Sequence, residues 1–98
     1  MKTQELFEQE KHWWRLDFGI KLINDSDWSR VNEIGEELEN QFGGEELGAG
    51  TGFGVRDISL LFPTEEKARQ AKLALRRLSR GKPRFEIEYA DAAPYEDE

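Results

Sequence analysis

A chain of 98 residues makes one domain with one modest core, since a chain of this size buries roughly 60–70% of its unfolded surface. Its 37% hydrophobic content, with three Trp and six Phe, excludes a disordered chain, and zero Cys excludes a disulfide framework and thiolate chemistry. Twenty-one acids against 14 bases give a net charge of −7, a balance that disfavours general nucleic-acid binding and favours a basic partner.

The charge is unevenly spread. Residues 1–66 hold 15 acids and 6 bases, residues 67–84 hold 8 bases and no acid, and residues 85–98 hold 6 acids and no base. This is an acidic protein with one basic island. No apolar run exceeds three residues, so nothing is expected to span a bilayer. Residues 1–11 are polar, carry no apolar stretch of the kind a secretory signal needs, and are expected to be frayed. A cytoplasmic location is the simplest expectation.

From His12 to Ile23 the chain alternates. Trp14, Leu16, Phe18, Ile20 and Leu22 share one face, and Trp13, Arg15, Asp17, Gly19 and Lys21 share the other. This period of two predicts a strand buried on one side. Asn24 to Asp27 offers capping oxygens to a helix start, and its acids suit the positive end of the helix dipole. Trp28, Val31, Ile34, Gly35, Leu38 and Phe42 then form one helical stripe, with Glu33, Glu36, Glu37 and Asn40 on the opposite face. Gly43-Gly44 ends that helix.

Glu45 to Ala49 is a weak strand candidate. The run Gly48-Ala49-Gly50-Thr51-Gly52-Phe53-Gly54 has neither phosphate-loop spacing nor a helix behind it, so it reads as a hairpin with a bulge. Arg56 to Phe62 alternates again, with Ile58, Leu60 and Phe62 inward, until Pro63 stops it. Thr64 caps a second helix whose buried stripe is Ala68, Ala71, Leu75 and Leu78. Gly81 ends it. Phe85, Ile87 and Tyr89 alternate with Glu86 and Glu88 as a fourth strand, and residues 90–98 are expected to fray.

The order βαββαβ predicts an α+β ferredoxin-like sandwich: a four-stranded antiparallel sheet, strands one and three central, with two helices on one face. The whole chain is expected to form a single domain.

Thr51-Gly52-Phe53-Gly54 resembles the start of the first ribonucleoprotein motif of RNA-recognition domains, which share this element order. The resemblance implies a third strand whose aromatics stack on bases. Thr51 stands where that motif has a basic residue, and Val55 and Ile58 where it has aromatics. The open sheet face would also carry Asp17, Asp57, Glu86 and Glu88, which repel a phosphate backbone, so nucleic-acid binding is not expected.

No nucleophile or third ligand accompanies Asp17 and Asp57, and the single His12 lacks a partner. A non-catalytic domain without metal or cofactor is therefore expected. Its contact candidates are Glu33, Glu36, Glu37 and Asn40 on the first helix, Trp13 and Asp57 on the open face, and Phe53 in the glycine loop. Trp13 is expected beside Val55, Leu61 and Ile23, a possible edge for a homodimer through the open face. A second strip, Arg69, Leu73, Arg76 and Arg77 on the second helix, suits an acidic partner or phosphates. The composite expectation is an acidic interaction domain, of inhibitor, antitoxin or immunity type, that masks a basic protein. The rivals are a nucleic-acid-binding domain and a small-molecule regulatory domain using the glycine loop.

Overall fold

The computed structural model describes residues 13–24, 26–82 and 84–95; His12 and residues 1–11 lie outside them. The elements run β1 (Trp14–Lys21), α1 (Asp27–Phe42), β2 (Glu45–Gly52), β3 (Val55–Phe62), α2 (Glu65–Ser79) and β4 (Ile87–Pro94). The sheet has the order β2-β3-β1-β4, and every neighbouring pair is antiparallel. This is the α+β ferredoxin-like architecture, with β1 and β3 central as the alternation predicts.

The register explains the core. Leu16, Phe18 and Ile20 of β1 stand opposite Leu60, Ile58 and Arg56 of β3. The apolar members of that set face the helices, where they meet Val31, Ile34 and Leu38 of α1 and Ala68, Ala71 and Leu75 of α2. All of these apolar side chains are buried, and no charged or polar residue among the described ones joins them. Gly35 is buried within α1 because a methyl there would press against Ile58.

The helix ends are specified locally. The Thr64 side chain accepts the Lys67 N–H at 3.1 Å, a true N-cap for α2. At α1 the chemistry runs the other way. No side chain caps Ser26; instead the Asp27 carboxylate accepts the backbone N–H groups of Ile23 and Asn24 at 2.8 and 2.7 Å. Gly43 closes α1 at φ 74°, the left-handed conformation that glycine adopts without steric cost.

Several element bounds and facings differ from these expectations. β2 continues past Ala49 to Gly52. The expected hairpin is present, with a register shift between Glu46 and Gly48; its turn is Phe53-Gly54, both at positive φ (54° and 75°), across which Gly52 pairs with Val55. Hairpin strands twist so that this turn fits them best.

Residues 90–94, expected to fray, instead belong to β4, paired with β1 from Ala90 opposite Phe18 to Pro94 opposite Trp14. Ala90 and Ala92 pack at the core, where α2 brings the equally small Ala68 and Ala71. In addition, the register slips between Gly19 and Ile20: Tyr89 stands opposite Gly19, but Ile87 opposite Ile20, leaving Glu88 as an extra residue. Such a bulge reverses the facing of everything beyond it. Tyr89, predicted to share a face with Ile87, therefore lies on the open side. Trp28, predicted in the buried stripe, is 46% exposed.

The β1–β3 pair carries the fold. Leu60→Ala should therefore cost about 2–5 kcal/mol, read as a drop in the thermal midpoint; an unchanged midpoint would contradict the sheet assignment.

Candidate functional site

The charged residues sort onto three surfaces. On the outer face of α1, Glu33, Glu36, Glu37 and Asn40 are all exposed, and none of these glutamates pairs with a base among the described residues. The tight exit at Gly43 then returns the chain beside the helix and enlarges the cluster. The Glu39 carboxyl is pushed up from the usual carboxylate range by burial first. The charges of Glu46, Glu36 and Glu45 add to this, while a backbone hydrogen bond from Glu46 opposes it. Glu39, Glu45 and Glu46 thus extend the acidic surface beyond the predicted residues. Only two residues separate α1 from β2, the one sequence signal that could have brought them together.

Glu37 sits at the border. It lines a cavity of about 330 Å³ with Arg30, Arg77 and Lys82, yet bridges none of them.

The predicted basic strip divides. Arg69 pairs with Glu65 one turn earlier in α2. With Lys72 and the exposed Leu73 it lines a shallow cavity against Trp14 and Ala92. Arg76 faces the β4 side, while Arg77 faces α1. A helical step of about 100° separates consecutive residues, so Arg76 and Arg77 cannot share one contact strip.

On the open sheet face the carboxylates are already occupied. Asp17 accepts the Arg15 Nε at 2.8 Å, and Tyr89 donates its hydroxyl to Asp57 Oδ1 at 2.7 Å. The Tyr89 ring lies over Gly19, where a methyl would fall 2.5 Å from Cε1. Lys21 bridges Glu86 at 3.2 Å and Glu88 at 3.6 Å, and these partners, Glu86 first, raise its pKa. Asp57 stands opposite Gly19 rather than Asp17, so the two aspartates are diagonal neighbours. No group of three metal-ligating side chains occurs among the described residues.

Trp13 is half-buried, and its carbonyl accepts the Tyr95 N–H at 2.9 Å. The patch predicted around it does not form. Val55 stands opposite Lys21, at the far end of β1, and the exposed Ile23 lies beyond that same far end. Only Leu61, opposite Arg15, belongs to the Trp13 end.

Phe53 is 108% exposed at the hairpin tip with φ 54°, a conformation that costs a bulky side chain roughly 1–2 kcal/mol. It lies in a turn and not on the third strand, so it cannot serve as a sheet-face stacking platform. Below it, Arg56 spans the gap to α1. Its guanidinium sits 4.7 Å from the Trp28 ring centre, donates twice to Asn32 Oδ1 at 3.2 and 3.1 Å, and donates to Thr51 Oγ1 at 2.9 Å. This cation–π and hydrogen-bond knot explains why Trp28 stays outside the core.

No protein family, curated protein or solved structure matches the chain. No helix among the described residues is long and apolar enough to cross a membrane.

Two predictions follow from the pKa directions. Burial first, then the Asp57 hydrogen bond and the charges of Asp57, Asp17 and Asp91, push the Tyr89 phenol from 10.0 up to about 12. The folded state holds that proton more tightly than the unfolded chain. The resulting stability is complete below pH 10 and disappears as pH rises towards 12. The phenolate absorbance lost in Tyr89→Phe should therefore titrate near pH 12; a midpoint near 10 would mean the bond to Asp57 does not persist in solution.

Glu39, also raised, gives stability that is present below its unfolded pKa and lost as it ionises. Glu39→Gln should therefore raise stability at neutral pH by roughly 0.2–0.5 kcal/mol in denaturant titration, and a loss of stability would show that its ionised form is favoured.

Proposed function

We propose that the protein is a non-catalytic interaction domain that binds a basic partner through the acidic surface of α1 and the start of β2. The observation that carries this reading is that Glu33, Glu36 and Glu37 are all exposed on one helix and that none has an ion-pair partner among the described residues. Glu36 also adds to the repulsion felt by Glu39.

Unpaired charge of one sign on a compact surface raises encounter rates with an oppositely charged protein and fixes its register. Masking of a basic target, as an inhibitor or immunity-type protein does, uses this arrangement. A sheet-face nucleic-acid reading has less support. The open face carries Asp17, Asp57, Asp91, Glu86 and Glu88 against Arg15 and Lys21, and its Tyr89 is committed to Asp57.

Charge reversal tests the reading. Glu33→Lys, Glu36→Lys and Glu45→Lys combined should slow association with a basic protein captured by the wild-type chain by about tenfold at low salt, and flatten its salt dependence. Thermal stability should stay equal or rise. Unchanged association kinetics in the folded triple variant would overturn the reading.

A further inference from the structure

The C-terminal end of α2 carries a second surface that the acidic reading leaves unused. Arg76, Arg80 and Arg84 line a cavity of about 590 Å³, together with Ser79, Phe85 and the exposed Ile23 at its mouth. None of the three arginines has an ion-pair partner among the described residues. Glu86, the one acid in the lining, is already bridged by Lys21 at 3.2 Å.

Arginines at a helix C-terminus are commonly explained by the free carbonyls there, which they can meet directly. That explanation is weak here, because other donors hold those carbonyls. Ser79 Oγ donates to the Arg76 carbonyl at 2.7 Å, Arg80 N–H to that of Arg77 at 3.2 Å and Gly81 N–H to that of Leu78 at 3.0 Å. The Phe85 N–H donates to the Ser79 carbonyl at 3.3 Å. The three guanidinium forks remain unspent beside an apolar wall.

We propose that this cavity binds a phosphate monoester attached to an apolar body. Guanidinium presents paired N–H donors in a plane that matches two oxygens of a phosphoryl group, which a lysine ammonium does not. A cavity of about 590 Å³ is far larger than one phosphate and lies within the range of roughly 300–1,000 Å³ typical of small-molecule sites. The half-buried Phe85 and Ile87 and the exposed Ile23 give the rest of such a ligand an apolar resting place. The ester could be a soluble metabolite or a lipid headgroup, since both present the same chemistry. The inference does not rest on the acidic face of α1.

The test is an NMR titration of the full chain with 1-naphthyl phosphate. A parallel arm uses phosphatidylcholine vesicles carrying phosphatidic acid, read by co-sedimentation. Backbone amides of Ser79, Phe85 and Ile87 should shift with naphthyl phosphate, and 1-naphthol or inorganic phosphate alone should bind about tenfold more weakly. Binding to the vesicles alone would support the site and assign the ester to a lipid. Replacing Arg76, Arg80 and Arg84 by Gln should weaken binding about tenfold or more, whereas the charge-matched control Lys67→Gln, Arg69→Gln, Lys72→Gln should change it no more than about twofold. Five of the six positions are exposed and Lys72 is half-buried, so an unchanged thermal midpoint checks the fold of each variant. The proposal is overturned if neither probe binds at the cavity, if both triple variants weaken binding equally, or if a glutamate-rich peptide binds there more tightly than naphthyl phosphate.

Discussion

The pairing of β1 with β3 fixes where nearly everything else can go. Each strand carries its buried large apolar side chains on one side, Leu16, Phe18 and Ile20 on β1 and Ile58, Leu60 and Phe62 on β3. One face of the sheet must therefore be covered, and only α1 and α2 can cover it. Packing both helices on that face leaves the other open to water. The open face accordingly carries Arg15, Asp17, Lys21 and Asp57, linked mainly to one another and to β4. Their engagement follows from the geometry of a half-covered sheet.

The same constraint separates acid from base. Two helices lying side by side on a sheet share one flank and turn their remaining surfaces apart. α1 presents Glu33 and Glu36 outward, while α2 turns Arg76 towards β4 and only Arg77 towards α1. Sequence neighbours on α2 thus point to different surroundings, which is why a single basic strip does not exist. The acidic surface of α1 and the arginines at the end of α2 thus face different surroundings, in a molecule of net charge −7.

What the sequence revealed followed periodicity, and what it hid depended on partners. The strand period of two and the helical stripes name the core residues because burial imposes them directly. Residues 90–94 were harder to read. Alanines and a proline beside acids carry little strand signal, yet Ala90 is buried in the same apolar core as Ala68 and Ala71, and Ala92 packs against it. The Tyr89 reversal was invisible for another reason: one extra residue, Glu88, moves the ring to the other face, and alternation cannot count a bulge. Trp13 shows a third limit. Alternation assigns a residue to a face but not to an end of it, and the register places Val55 and Ile23 away from Trp13. Of the acidic site, Glu33, Glu36 and Glu37 were legible from helical spacing, whereas Glu45 and Glu46 joined Glu39 of the same helix only through the turn at Gly43.

Two features of the molecule oppose its own stability. Glu39 is held partly buried among three other glutamates, and Phe53 keeps an aromatic side chain at positive φ in full contact with solvent. A glutamine at the first position and an asparagine at the second would relieve these strains without touching the core. The rest of the hairpin is well secured: Arg56 ties Thr51 and Asn32 together under Trp28, and the Leu22 N–H donates to the Gly54 carbonyl at 2.7 Å. The tip is therefore presented on a braced support and not left as a loose loop. Unfavourable groups held on rigid elements are what a binding surface requires, because a partner that relieves them gains affinity without having to order the chain that presents them. Under the reading proposed above, the acidic surface beside Gly43 offers a partner such relief through the repulsion at Glu39.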